Sequence, residues 1–240
     1  MFCASFFCAA RFVATLAVVT VDSSGERSFS FCRKPGADTQ IDHERALKAA
    51  AGADILHFGS VSLAAAACRD TIVAAVKQAK ENGALITYDP NYRASLWSSE
   101  TEAIEIMRSV LPLCHIVKIS EEETLLLTGQ ETPEKAAQVL LDNGVKLAIV
   151  TLGASGAYWR YENESGTVPG FKVQVADTNG AGDTFFGAFL SRIAKHGGLV
   201  RMRPERIERY VRYANRAASI TASRPGAIPA MPTEDELMEE

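Results

Sequence analysis

Four short apolar runs, Ile55-Leu56-His57-Phe58, Ala84-Leu85-Ile86-Thr87-Tyr88, Ile116-Val117-Lys118 and Leu147-Ala148-Ile149-Val150, each follow a longer stretch of helical period. The helical stretches run from His43 to Ala51, Ala64 to Glu81, Glu100 to Leu111 and Pro133 to Asn143. A strand that is apolar at nearly every position has to be covered on both faces, and helices returning between successive strands supply that cover. The alternation therefore predicts an α/β fold on a mostly parallel sheet. Ligands of such sheets sit at the carboxyl ends of the strands, where the polar motifs of this chain fall.

Ahead of this alternation, Ala14 to Val21 and Arg27 to Cys32 flank Asp22-Ser23-Ser24-Gly25-Glu26, which has the composition of a hairpin turn. A small projecting two-stranded sheet is expected there. Met1 to Ala10 is apolar, but no basic residue precedes it, Arg11 interrupts it, and Phe12 to Val21 alternates like a strand, which argues against a signal peptide. The run is also too short to cross a bilayer, so no membrane partner and a cytoplasmic location are expected. The chain of 240 residues is long enough to bury a full core as one α/β domain. Its 25 basic and 29 acidic residues leave a net charge of −4, without the basic field that nucleic acid requires. The five cysteines, Cys3, Cys8, Cys32, Cys68 and Cys114, are odd in number and have no C-x-x-C spacing. They read as reduced thiols, not as a disulfide frame or zinc site.

The segment Asp177-Thr178-Asn179-Gly180-Ala181-Gly182-Asp183 runs directly into the apolar Thr184-Phe185-Phe186-Gly187-Ala188-Phe189-Leu190. Small residues let backbone N–H groups approach a ligand closely, and a helix start adds unpaired donors with partial positive charge. A phosphate fits such a place. Asp183, in the first turn, is favoured there as an anion and is placed to take a proton from a hydroxyl. A glycine-rich turn with an acidic cap explains the same residues without any chemistry.

Other motifs carry similar alternatives. In Tyr88-Asp89-Pro90-Asn91-Tyr92-Arg93, Pro90 stops the strand and sets Asp89, Asn91 and Arg93 at the carboxyl edge. Arg93 offers forked donors to phosphate, whereas an ion pair between Asp89 and Arg93 is the structural alternative. Lys118-Ile119-Ser120-Glu121-Glu122-Glu123 ends a strand with a lysine and opens a helix with a capping box. Val150-Thr151-Leu152-Gly153-Ala154-Ser155-Gly156-Ala157-Tyr158 reads as a strand, a glycine turn and a second strand. Tyr213 to Ala218 lies on an amphipathic helix whose small residues suit close packing.

Taken together, Asp-Thr-x-Gly-Ala-Gly-Asp at 177–183, Asp-Pro-Asn-Tyr-Arg at 89–93, Lys-x-Ser-x-x-Glu at 118–123 and Thr-x-Gly-x-x-Gly at 151–156 resemble, in order, the motifs of ribokinase-type (PfkB) carbohydrate kinases. The segments Asp22 to Phe31, Arg33 to Asp38 and His57 to Leu63 resemble the fructokinase branch. The resemblance implies a ribokinase-like three-layer α/β/α sandwich with a small β lid, ATP as phosphoryl donor, and phosphorylation of a sugar primary hydroxyl. D-Fructose is the first substrate it suggests, with 2-keto-3-deoxygluconate or ribose as alternatives.

By position, it makes Asp183 the catalytic base and the amides of Gly180, Ala181 and Gly182 the anion hole. Asp89, Asn91 and Arg93 then lie by the sugar, and Arg93 also meets the transferred phosphate. Lys118, Ser120, Thr151, Gly153, Gly156 and Asn215 border the nucleotide, Ser120 standing where the family has asparagine. Glu123 places the water around Mg2+, and Asp177 and Asn179, with the Pro225 to Pro229 turn, frame a monovalent cation such as K+. A homodimer through the lid is implied by analogy.

The family's opening strand with a sugar-binding aspartate, and its Gly-Gly-x-x-x-Asn segment, have no counterpart ahead of the hairpin. The reading is therefore of an N-terminally truncated member, with 1–12 as an apolar non-family start, 13–38 as the lid and 39–240 as the catalytic domain. A kinase-like protein that binds nucleotide or a partner without turnover is the second reading.

Overall fold

The computed structural model describes residues 15–21, 27–32, 36–200 and 202–238. The expected start at 1–12 and the expected hairpin turn at 22–26 lie outside the described residues. Two compact units make up the chain, Met1–His115 and Ile116–Glu240. The division falls inside the region 39–240 that the sequence reads as one domain.

In the first unit, β1 (Leu16–Val21) and β2 (Arg27–Cys32) pair antiparallel, Leu16 opposite Cys32 and Val21 opposite Arg27. Helix α1 (His43–Ala51) begins where the Asp42 carboxylate accepts the Arg45 N–H at 2.8 Å, and it buries Ala46 and Ala50. Strand β3 (Ile55–Gly59) pairs parallel with β4 (Leu85–Asp89). The expected helix from Ala64 to Glu81 is present as α3 (Ala66–Glu81), and a separate short helix, α2 (Val61–Ala64), precedes it. The two are broken at Ala65, which is extended at φ −88° and ψ 115°. Side chains allow the break: the Cys68 thiol donates to the Ser62 carbonyl and Arg69 Nε to the Leu63 carbonyl at 2.7 Å, serving groups that a continuous helix would have used. Helix α4 (Glu100–Ser109) is shorter than expected because Pro112 forces the following residues into a tight turn over Leu111–Leu113.

The second unit opens with β5 (Ile116–Ser120), followed by α5 (Glu121–Thr128), α6 (Pro133–Asp142) and β6 (Leu147–Thr151). Strands β5 and β6 are parallel and buried along nearly their whole length, as their composition requires. Two antiparallel strands then extend the sheet, β7 (Ala157–Tyr161) and β8 (Glu164–Val168). They are joined by a two-residue turn with Glu162 at φ 52°. Helices α7 (Ala181–His196) and α8 (Pro204–Ala222) pack together, Phe189 meeting Tyr210 edge to face, and a short α9 (Glu234–Met238) follows. No helix of the described residues is long and apolar enough to cross a membrane.

Among the described cysteines, Cys32 is exposed while Cys68 and Cys114 are buried, and none forms a disulfide. Burial pushes the Cys114 thiol up to about 12, with Lys80 pulling weakly the other way. Since the thiolate is the reactive form, iodoacetamide at about pH 8 is expected to modify Cys32 and spare Cys68 and Cys114 until denaturant is added. Peptide mass mapping reads the outcome, and native-state modification of Cys114 would contradict the burial.

Candidate active site

In the second unit, the loop ahead of α7 is built by bonds from three directions. Asp177 Oδ1 accepts the Asn179 N–H at 2.9 Å and Oδ2 accepts the Gly226 N–H at 3.1 Å. The Ala222 carbonyl, at the end of α8, accepts both the Ala176 and Asp177 N–H groups, at 2.9 and 3.2 Å. Gly180 sits in the left-handed region at φ 76°, and a β-carbon there would lie 3.2 Å from the Ala227 side chain. The left-handed conformation favours glycine at 180, and Ala227 leaves little room for a side chain there.

At the start of helix α7 some of the first amides are bonded to the main chain and others are not. The Ala181 N–H turns to the Thr178 carbonyl at 3.2 Å, and the Thr184 N–H closes onto Gly180 at 2.8 Å. Among the described residues, the N–H groups of Gly180 and Gly182 make no main-chain hydrogen bond. The three-amide hole expected from the motif is therefore two open donors plus one engaged with Thr178. Asp183 is exposed in the first turn, while Thr184, Phe185 and Phe186 turn inward.

A buried cation adjoins these donors. Lys118, in the middle of β5, is 5 % exposed, and a β-carbon at Gly182 would lie 3.5 Å from its Nζ. An ammonium beside a helix N-terminus favours an anion, because both place positive field at the same point. Glu123 is 9 % exposed and its Oε2 accepts the Ser120 N–H at 2.9 Å, so the capping box read from the sequence is present. Thr151 ends β6 and its hydroxyl reaches the Ile119 carbonyl at 3.4 Å.

The glycine turn after β6 serves the fold first. Gly153 has φ 54° and Gly156 has φ 101°, and a β-carbon at Gly156 would lie 2.1 Å from the Val168 carbonyl oxygen. Gly170, which the sequence reading did not single out, is packed equally tightly, its absent β-carbon 2.5 Å from the Ala154 oxygen. Asn215 is buried on α8, and its amide nitrogen donates to the Val168 and Pro169 carbonyls at 3.0 and 3.1 Å. Its carboxamide donor is committed to the backbone here.

The first unit carries the other motif. Asp89 ends β4 at 4 % exposure. Pro90 passes its carbonyl to the Ser60 N–H at 3.0 Å, and Asn91 takes a left-handed φ of 46°, which asparagine tolerates better than most residues. Arg93 is half-buried at the start of the turn Ala94–Leu96, with Nη1 donating to the Tyr92 carbonyl at 2.9 Å. A cavity of about 430 Å³ lies in the same unit, lined by Phe31 of β2, Thr39, Gln40, the Ala64–Ala67 run, Ser95 and Leu96.

The structure thus gathers Lys118, Gly180, Ala181, Gly182 and Asp183 at one end of α7, with Asp177 and Asn179 in the loop beneath. Asp89, Asn91 and Arg93 lie in the first unit, at and after the end of β4. Among the described residues, no three His, Cys, Asp or Glu side chains cluster to hold a metal ion directly.

Against known proteins, a family model described as pfkB family carbohydrate kinase matches residues 14–234. Fructokinase-1 of Oryza sativa subsp. japonica is 41% identical over 225 residues, which span 93% of this chain and 69% of the rice protein. The fructokinase of Vibrio cholerae O395, solved in a fructose, ADP and calcium ion bound form, superposes with a TM-score of 0.80 at 32% identity, covering 92% of this chain and 71% of that one. A fructokinase with bound ATP from Xylella fastidiosa gives 0.83 at 31% identity, over 93% and 72%.

Proposed function

The chain belongs to the pfkB family of carbohydrate kinases, and we propose that within it the reaction is transfer of the γ-phosphoryl group of ATP to the primary hydroxyl of D-fructose, giving fructose 6-phosphate and ADP. Its α/β fold is ribokinase-like. The observation that carries the reading is the anion site at α7: a buried Lys118 beside Gly182, with the exposed Asp183 carboxylate one residue on. Fructose stands ahead of ribose and 2-keto-3-deoxygluconate because the relatives above are fructokinases.

In this proposal Lys118 and the open amides of Gly180 and Gly182 receive the phosphate oxygens. Phosphoryl transfer asks the protein for positioning and charge stabilisation more than for covalent work. Asp183 accepts the proton of the sugar hydroxyl as its oxygen bonds to phosphorus and the bond to the ADP oxygen breaks. Arg93 supplies positive charge from the sugar side, with Asp89 and Asn91 ordering its loop. Thr151, Gly153 and Gly156 shape the nucleotide edge, and Asn215 acts there through the Val168 and Pro169 carbonyls that it holds.

Magnesium suits this donor set. It commonly keeps several waters and leans on substrate phosphates plus one or two carboxylates, which agrees with the Glu123 carboxylate, held at Oε2 by the Ser120 N–H. When bound, it neutralises charge on the phosphates; Glu123 would orient its water. A monovalent cation fits less fully, since both Asp177 oxygens face N–H donors and main-chain carbonyls would have to supply its remaining ligands.

The test is ADP release measured with ATP, Mg2+ and each of fructose, ribose and 2-keto-3-deoxygluconate, with the product identified by phosphorus NMR. Fructose is expected to give the highest kcat/KM and a 6-phosphate. Nucleotide binding without sugar-dependent ADP release for any of the three would overturn the reading in favour of a non-catalytic binding protein.

A further inference from the structure

Helix α8 ends in three hydroxyl residues that behave differently. Ser219 donates to the Arg216 carbonyl at 2.7 Å and Ser223 to the Ile220 carbonyl at 2.8 Å, the usual way for a helical hydroxyl to satisfy itself on its own backbone. Thr221, with no solvent exposure, instead crosses to α7, its Oγ1–H donating to Thr184 Oγ1 at 3.0 Å. Thr184 is buried as well, and it is the residue after Asp183. Its N–H closes the first turn of α7 onto Gly180. The neighbour of Thr221, Ala222, holds the other side of the same loop through the Ala176 and Asp177 N–H groups. Two consecutive residues of α8 therefore grip the turn both before and after the carboxylate.

We propose that Thr221 is a positioning residue for phosphoryl transfer, acting through Thr184 to fix the first turn of α7 and with it the Asp183 carboxylate. The proposal rests on Asp183 being the base. A group argued to act through another should change turnover more than binding, since small misplacements of a reacting group cost rate steeply. Thr221→Val keeps the shape and removes the hydroxyl. It is expected to lower kcat by about tenfold while KM for ATP and for sugar stay within about twofold.

Thr221→Ser keeps the hydroxyl and loses a methyl, so it is expected to restore kcat although its Tm falls. Thr184→Val removes the same bond from the other side; it should match Thr221→Val, and the double variant should be no slower than either single one. Parental kcat in both valine variants overturns the proposal, as does a serine variant as slow as the valine, which would assign the effect to packing. If Thr221→Val does not fold, the comparison of Thr184→Val with Thr184→Ser reads the same bond. The two readings fail separately: Asp183→Asn at the parental rate sinks the base, whereas a slow Asp183→Asn with a fast Thr221→Val sinks only the positioning role.

Discussion

Asp183→Asn lowers kcat for sugar-dependent ADP release by at least about 10²-fold while the nucleotide still binds within a few-fold of its parental Kd. The carboxylate is exposed at the first turn of α7, next to two open amides and a buried ammonium, so its place is one where a hydroxyl and a phosphate can meet. Asparagine keeps the size and removes the proton acceptor. General bases contribute about 10²–10⁴ in rate, or roughly 3–5 kcal/mol of barrier. Steady-state kinetics combined with calorimetric titration of a non-hydrolysable ATP analogue separates the two effects. A variant that turns over at close to the parental rate would remove Asp183 from the chemistry. One that loses turnover and nucleotide binding together would place it in the binding site instead.

The second large effect concerns stability. Gly156→Ala is expected to cost about 3 kcal/mol or more, because φ 101° with ψ −129° is a conformation that only glycine adopts readily, and because the new methyl would sit 2.1 Å from the Val168 oxygen. The Pro169 and Gly170 backbone lies within 2.6 Å of the same point, so no flexible side chain is available to yield. For a chain of this size, that loss lowers Tm by about 10 °C. Thermal denaturation followed by circular dichroism measures it. An unchanged Tm would mean that the turn between β6 and β7 rearranges without strain. Gly153→Ala is expected to be milder, since nothing lies within 4 Å of its absent β-carbon, although φ 54° still carries a conformational cost.

Where burial wrote itself into composition, the elements could be read directly. Strands β5 and β6, helix α1 and the capping box at Ser120 and Glu123 stand as the residues imply. Strand β8 was silent, because Glu164-Ser165-Gly166-Thr167-Val168 is an edge strand exposed over most of its length, and no apolar alternation is needed there. The break at Ala65 was equally hidden: four alanines in a row favour helix, and the donors that permit the interruption come from Cys68 and Arg69 beyond it.

Within the candidate site, the glycine-rich spacing ahead of an apolar helix pointed to the start of α7, where the structure places Asp183 exposed in the first turn. It did not indicate that Ala181 would turn to Thr178, that Asn215 would bind the backbone, or that Thr184 would meet a hydroxyl 37 residues away. The first is a local choice of turn that spacing alone leaves open, and the other two join distant segments, for which a single sequence carries no periodic signal.

The bond from the Gly226 N–H to Asp177, 49 residues earlier, has a consequence for biosynthesis. A chain emerging from the ribosome exposes residue 177 well before residue 226, and folding proceeds largely from the front. Until residues 226 and 227 have been translated, Asp177 lacks the Gly226 N–H and Gly180 lacks the Ala227 surface it packs against. A nascent polypeptide would therefore remain unable to arrange this turn until that later segment has emerged.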